Sequence, residues 1–202
     1  MNIQDVLFLV AAYLLGAVPF GLIVARFAGV GDLRAQGSGN IGATNVLRVV
    51  GRKAGAFALF LDMGKGALAA GVAIPLFGPD SWQTAATVVC AFSGHLYPVY
   101  LRFKGGKGVA VALGGLLAWT PLPGLLMVLT WLGMAKWVRI SSLSALSAFV
   151  IGPLSLFWLP APPLAPAIHG LITLLVFWRH RDNIRRLLAG TEPRIGKKTA
   201  TP

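Results

Sequence analysis

The chain has 202 residues, of which 56% are apolar and only 12% are charged, and its mean hydropathy is +0.74. This balance all but excludes a water-soluble enzyme. Lys and Arg number 18 against 6 Asp and Glu, a formal charge of +12, and these cations stand between long apolar runs. They therefore indicate membrane orientation and a small anionic substrate or anionic lipid rather than nucleic acid. With Cys90 as the single cysteine, no disulfide can form within the chain.

Apolar runs near the 20 residues that a bilayer requires divide the sequence into predicted membrane helices. The first run has no basic region before it and no cleavage site after it, so we interpret it as a span and not as a signal peptide. The predicted spans are 6–25, 54–78 and 82–101, a region at 109–135, and two spans within 140–178 separated by Pro160, Pro162 and Pro163.

The region 109–135 fits either one long helix or two short helices that meet at Thr120 and Pro121. Two short helices give seven spans, and every outward connection then lacks Lys and Arg, whereas one helix moves the basic C-terminal segment to the opposite side. The positive-inside rule favours seven. The predicted fold is an all-α polytopic bundle of about seven membrane helices in one domain, 1–202, with the N-terminus outside and the C-terminus cytoplasmic.

In this topology the segments 26–53, 102–108, 136–142 and 179–202 share the cytoplasmic side. The last of them is predicted to continue as an amphipathic helix along the membrane interface. No internal repeat is detectable, which weakens the case for a carrier built from duplicated halves.

The first of these segments contains a glycine-rich stretch, GSGNIGATNVLR, at 37–48. Its glycines match GxGxxG, but a membrane span precedes them and no βαβ unit surrounds them, so a dinucleotide site is rejected. Free backbone N–H groups, the hydroxyl of Ser38, the amide of Asn45 and the guanidinium of Arg48 together suit a phosphate. The alternative is a flexible surface loop rich in turn-forming residues.

The second segment, KGGKG at 104–108, runs directly into a helix that begins near Val109. Free N–H groups at that helix start and the flanking cation favour an anion site, with Lys107 as its better candidate than Lys104. The alternative is a basic turn that only orients the protein in the membrane. The GxxxxGK[ST] spacing of a Walker A loop is absent.

Several polar residues lie within or next to the spans. Asp62 and Lys65 are three apart on a helix and can pair, either structurally or at a functional cavity. His95 lies late in the third span, close to its cytoplasmic end, although a lone histidine is more often a satisfied buried residue than a catalyst. His180 and Asn183 share one helix face, and Ser142 follows the third segment's cations. We expect no metal site, since the histidines lack acidic neighbours at ligand spacing, and no general base is evident.

Five motifs in this order resemble the bacterial acyl-phosphate:glycerol-3-phosphate acyltransferase family, and they cover nearly the whole chain. They are GSGNIGATNVLR at 37–48, LDMGKG at 61–66, SGHLYPVYLRFKGGKGVA at 93–110, RISSLSA at 139–145 and RHRDNIRRLLAGTE at 179–192. The resemblance implies acyl transfer from acyl phosphate to the 1-hydroxyl of glycerol 3-phosphate at the cytoplasmic face of the cell inner membrane. It implies no cofactor, and acyl-CoA is not the expected donor, in agreement with the absence of an H-x-x-x-x-D sequence.

The resemblance also implies roles for individual residues. Those expected to bind the phosphate-bearing groups are Ser38, Arg48, Lys107, His180 and Asn183, with Asn45, His95 and Ser142 as a second set. Three mechanisms stay open: direct attack with Lys107 stabilising charge on the donor, attack assisted by His95 or His180 as general base, and an acyl-enzyme on Ser38. The rival classes are a membrane carrier or channel for an organic phosphate and a scaffold that binds anionic lipid.

Overall fold

The computed structural model describes residues 1–196, and all regular elements in that part of the chain are helical, which confirms the predicted all-α class. Residues 197–202 of the predicted segment 179–202 lie outside the described residues. The α-helices within 1–196 are α1 (Ile3–Ala17), α2 (Phe20–Phe27), α3 (Ala43–Val49), α4 (Arg52–Phe77), α5 (Trp82–Leu96), α6 (Val109–Trp119), α7 (Pro121–Trp137), α8 (Ser141–Ser155), α9 (Ala165–Arg179) and α10 (Arg181–Leu188).

Two helical stretches in the described chain have the length and apolar character of a membrane span, Ile3–Phe27 with a mean hydropathy of 2.4 and Arg52–Phe77 with 1.6. Helices α6, α8 and α9 are apolar but shorter. Large apolar side chains cover the outer surface, including Phe60 at 70% exposure and Leu174 at 71%. Such a surface suits lipid and not water.

The first stretch is broken, where the sequence predicted one uninterrupted span at 6–25. Pro19 has no N–H to continue the ladder, so α1 ends before it and α2 begins after it. The side chain of Lys65 on α4 donates to the carbonyl of Val18 at the break, at 2.7 Å, and lies 2.8 Å from Asp62 Oδ1. The predicted Asp62–Lys65 pair is therefore confirmed, and it also caps the break.

Helices α6 and α7 form a hairpin within 109–135. The Thr120 side chain donates to the Leu116 carbonyl at 2.9 Å and lies 3.0 Å from His169 Nε2, which holds the turn against α9. Gly124 lies so close to the backbone of Leu117 that a Cβ there would clash, so α7 folds back along α6. The two-helix interpretation of this region is correct.

Small residues allow the helices to pack closely. A Cβ at Gly66 on α4 would strike the Val111 carbonyl of α6, and one at Gly94 on α5 would strike the Tyr13 carbonyl of α1. Buried side chains that include Phe92 and Phe149 fill the centre of the bundle. Close backbone approach of this kind is typical of helices that associate in lipid.

The third predicted span, 82–101, ends earlier than expected. Helix α5 stops at Leu96, a short turn follows, and Arg102 and Phe103 adopt positive φ values of 51° and 61°. The chain thereby reverses, and the N–H of Gly106 donates to the His95 carbonyl at 3.1 Å. This reversal carries the glycine-rich segment before α6 back into the bundle, where it forms one wall of a cavity.

Candidate functional site

A cavity of about 490 Å³ lies at the end of the bundle where α3, α8 and α10 meet the loop before α6. The structure brings every predicted site residue to its lining, although these residues come from separate parts of the chain. They are Ser38, Asn45, Arg48, His95, Lys107, Ser142, His180 and Asn183. Each of the four segments predicted to share one side of the membrane contributes to this lining.

Asn45 holds the glycine-rich loop in place from within. Its Oδ1 accepts from the N–H of Ser38 at 2.8 Å, and its Nδ2 donates to the carbonyls of Gln36 at 3.0 Å and Leu33 at 3.2 Å. The side chain is 1% exposed, and the loop passes over it with Gly37 at a φ of 60°. Both the oxygen and the nitrogen of the Asn45 amide are therefore already hydrogen-bonded within the protein. Asn45 thus fixes the shape of the loop that presents Ser38.

Arg48 follows Asn45 on the same short helix, as the three-residue spacing predicted. Its guanidinium faces the cavity, and its Nε is buried and has no hydrogen-bond partner among the described residues. A buried donor of this kind is costly to leave unpaired, and an anionic ligand in the cavity would supply an acceptor.

Lys107 lies on the opposite wall, on the loop that enters α6. Its ammonium donates to Asn183 Oδ1 of α10. Burial lowers the pKa of Lys107 to about 8, and the positive charges of Arg186, Arg48 and Arg179 act in the same direction while Glu192 opposes them. Lys107 is thus a cation at neutral pH, in a cavity that makes an anion beside it favourable.

Arg179 fixes the loop that carries Lys107, a role that sequence reasoning did not assign. Its guanidinium donates to the carbonyls of Gly105 at 2.9 Å and Gly106 at 2.8 Å. Gly106 also lies against the His95 ring, where a Cβ would clash. Glycine is required at both positions, because a Cβ at Gly105 would strike the His95 carbonyl and one at Gly106 would strike the His95 imidazole.

The two predicted histidines differ in which nitrogen carries the proton. Lys65 lies 3.1 Å from His95 Nδ1, and since an ammonium only donates, this contact places the His95 proton on Nε2. His180 Nδ1 lies 2.8 Å from the Val176 carbonyl, which only accepts, so the proton of His180 is on Nδ1 and its Nε2 keeps a lone pair. Burial lowers the pKa of His180 to about 4, so it is neutral at pH 7.

Glu192, which the sequence reasoning passed over, connects several of these residues. Its carboxylate accepts from Ser142 Oγ at 2.7 Å, from Asn183 Nδ2 at 2.6 Å and from Arg186 Nε at 2.7 Å. Burial alone would raise the pKa of Glu192, but these hydrogen bonds hold it below its usual value. Because the carboxylate only accepts, it turns the Asn183 amide so that Oδ1 faces Lys107. The available signal was an acid, one of only two with Asp182, in a stretch rich in arginine and lysine.

The lining of the cavity carries a net positive charge. Its cations are Arg48, Lys107, Arg179, Arg181 and Arg186, and its acids are Asp62, Asp182 and Glu192. Asp62 and Asp182 are already paired with Lys65 at 2.8 Å and with Arg185 at 3.4 Å. Within residues 1–196 no three His, Cys, Asp or Glu side chains group closely enough to hold a metal ion. The cavity therefore suits an anion with several acceptor oxygens, such as a phosphate.

A smaller cavity of about 160 Å³ adjoins the first one. Residues lining both cavities are Ala43, Thr44, Leu59, Trp131 and Ser141, and those lining only the smaller one are Leu47, Arg52, Gly55, Ala56 and Ile195. Helices α3 and α4 supply most of the lining and α7 adds Trp131. Among the described residues α4 and α7 pack against α6 rather than closely against each other. A mostly apolar space thus opens beside a cationic one.

An all-helical bundle with an apolar exterior and a cationic cavity at one end has the architecture of an integral membrane protein with a site that suits an anion. The family of glycerol-3-phosphate acyltransferases matches residues 6–190, and the chain belongs to that family.

Relatives named glycerol-3-phosphate acyltransferase include one from Agrobacterium fabrum, 52% identical over 92% of this chain and 89% of that protein, and one from Cereibacter sphaeroides, 51% identical over 95% and 90%. Solved structures of PlsY, an integral membrane glycerol 3-phosphate acyltransferase, are similar in fold. Its glycerol 3-phosphate form has a TM-score of 0.90 at 44% identity, and its lysophosphatidic acid form has 0.88 at 42%. Both alignments cover 96% of each chain.

Proposed function

We propose that this protein transfers a fatty acyl group from acyl phosphate to the sn-1 hydroxyl of glycerol 3-phosphate, which forms lysophosphatidic acid and phosphate in the first acylation step of phospholipid synthesis. The observation that carries the proposal is the junction of a cationic cavity with an apolar one. The glycerol 3-phosphate and lysophosphatidic acid forms of PlsY support the acceptor and the product.

Both substrates of this reaction are anions and repel each other, and the cationic cavity offsets that repulsion. Two unit charges 4 Å apart repel by about 4 kcal/mol at an effective dielectric constant near 20. Arg48 on one wall and Lys107 on the other offset that repulsion, and Ser38, His180 and Asn183 add neutral contacts to the phosphate oxygens. The smaller cavity receives the start of the acyl chain, whose burial contributes about 0.8 kcal/mol per methylene.

The acyl transfer needs no covalent intermediate, because the donor is already an activated anhydride. The sn-1 hydroxyl oxygen attacks the acyl carbonyl carbon, the bond from that carbon to the phosphate oxygen breaks, and phosphate leaves with the electron pair. A substrate phosphate oxygen takes the hydroxyl proton. Lys107 stabilises the negative charge that gathers on the departing phosphate.

Of the two histidines, only His180 is placed to compete as a general base. Its Nε2 keeps a lone pair, whereas the His95 proton occupies Nε2 and its Nδ1 faces Lys65. A pKa of about 4 makes His180 a weak base at neutral pH, which favours proton transfer to phosphate. His95 then acts as a hydrogen-bond donor beside the loop that carries Lys107.

A conversion assay with purified protein tests the proposed function directly. Detergent-solubilised protein, without vesicles, is given acyl phosphate and glycerol 3-phosphate in independently varied amounts. We expect lysophosphatidic acid and phosphate in equal amounts, and no product when acyl-CoA replaces acyl phosphate. A carrier or channel for an organic phosphate would make no product under these conditions.

The pH dependence of kcat/KM should follow the ionisation of the Lys107 ammonium. Its charged form prevails below its pKa of about 8 and is lost as the pH rises through that value, so kcat/KM is expected to fall above pH 8. In Lys107→Arg the charge persists to much higher pH, and the fall should move upward even if the maximum rate is lower. An alkaline limb unchanged in Lys107→Arg would contradict the assignment.

The proposed orientation places the cavity at the cytoplasmic face of the inner membrane, with seven spans formed by the α1–α2 stretch, α4, α5, α6, α7, α8 and α9. The hairpin of α6 and α7 supports this number. Helix α6, with 11 residues, is only about 16 Å long, and the inward loop before it covers part of the remaining depth.

Thiol labelling in intact cells tests this orientation. In a Cys90→Ala background, Asp80→Cys should react with an impermeant reagent from outside, and Arg185→Cys should react only after the cells are opened. Both positions are exposed. The reverse pattern would overturn the proposed orientation.

A further inference from the structure

The carbonyl group of an acyl phosphate joins its phosphate to its alkyl chain. On the proposed function, on which this inference rests, the phosphate lies in the cationic cavity and the chain in the apolar one. The carbonyl must then lie where the two cavities meet. That seam is formed by the residues that line both cavities, namely Ala43, Thr44, Leu59, Trp131 and Ser141.

The seam offers few side-chain hydrogen-bond donors. Ala43 and Leu59 have none. The hydroxyls of Thr44 and Ser141 lie 2.9 Å apart and hydrogen-bond to each other, which ties α3 to the start of α8. Trp131 is the remaining seam residue, and it carries an indole N–H.

The indole N–H of Trp131 is buried and has no hydrogen-bond partner among the described residues. Native proteins contain few buried donors without a partner, because burial removes the hydrogen bond to water and no other bond replaces it. The indole N–H is a donor only, so it can form a hydrogen bond only with an acceptor. The acceptor it lacks is one that a substrate would bring to the seam.

We propose that Trp131 Nε1–H donates a hydrogen bond to the acyl carbonyl oxygen of the donor and is a catalytic residue of acyl transfer. When the sn-1 hydroxyl oxygen attacks, the carbonyl π electrons move onto that oxygen, and the indole stabilises the negative charge. As the electrons return, the carbon–oxygen bond to phosphate breaks and phosphate leaves with the pair and with the hydroxyl proton. A donor that strengthens its bond in the transition state raises kcat more than it tightens ground-state binding.

The variant Trp131→Phe removes this N–H and keeps an aromatic ring at the seam. We expect kcat to fall on the order of 10²-fold, the loss typical when one donor to such an oxyanion is removed, with KM for glycerol 3-phosphate nearly unchanged. Because the N–H has no partner in the resting protein, the Tm in detergent should stay the same or rise. Trp137→Phe is the matched control on the same helix, since Trp137 is 85% exposed, and it should keep the parent kcat and Tm.

Several results would overturn the inference. One is a kcat for Trp131→Phe within twofold of the parent, and another is a rise confined to KM for glycerol 3-phosphate. The third is a loss of activity matched by a lower Tm or by failure to fold, which would show that the N–H stabilises the resting structure. If the parent protein forms no lysophosphatidic acid from acyl phosphate, the proposed function itself fails. An active parent with an equally active Trp131→Phe variant removes only the role of Trp131.

Discussion

Replacing Lys107 with alanine is expected to lower kcat on the order of 10³-fold while the protein still folds in detergent. Lys107 is the cation on the loop that enters α6, and its ammonium contacts Asn183 across the cavity. Without it, negative charge on the departing phosphate loses a preorganised partner in a partly desolvated site. The loop itself should persist, because Arg179 and the His95 carbonyl hold its backbone independently of the lysine side chain.

Lys104→Ala is the matched control for this variant. Lys104 belongs to the same loop, but it is exposed and does not line either cavity. It should retain parent turnover, and the Tm of both variants, measured by thermal unfolding, should remain close to that of the parent. Near-parental turnover in Lys107→Ala would refute the role assigned to Lys107.

Arg48→Ala should act mainly on the acceptor and raise KM for glycerol 3-phosphate about 10- to 100-fold. The guanidinium borders the cavity with a buried Nε that has no hydrogen-bond partner in residues 1–196. A hydrogen bond to a charged group contributes about 1.5–3 kcal/mol, and the loss of that energy corresponds to a rise in KM of about this size. Steady-state kinetics at saturating acyl phosphate measures the change.

Arg34→Ala is a suitable comparison because Arg34 lies in the preceding loop and forms an exposed pair with Asp32 at 2.8 Å. It removes the same charge from the protein without touching the cavity, so KM should stay at the parent value. If Arg48→Ala also leaves KM unchanged, Arg48 does not bind the acceptor phosphate.

Much of this architecture could be predicted from the sequence, because apolar runs and charge asymmetry are properties of the chain itself. The turn at Thr120 followed from two prolines and the distribution of cations, and the Asp62–Lys65 pair followed from helical spacing. Convergence of Arg48, Lys107 and Asn183 followed from placing their segments on one side of the membrane.

Other features depend on contacts between distant segments and were missed for that reason. A proline after an apolar run does not reveal that Lys65, 47 residues beyond Val18, caps the break in the first stretch. The tautomers of His95 and His180 are set by neighbours that no local pattern identifies. Glu192 is one of two acids in a basic stretch, and nothing local indicates that its carboxylate accepts hydrogen bonds from both Ser142 and Asn183.

The loose contact between α4 and α7 bears on how the product departs. On the proposed function, the new ester forms with its hydrocarbon tail already in the smaller cavity, beside α4 and α7. Lysophosphatidic acid then diffuses laterally into the surrounding leaflet without its tail crossing water. Release would depend on detaching the headgroup from the cations, so turnover should respond to the fluidity and surface charge of the host membrane.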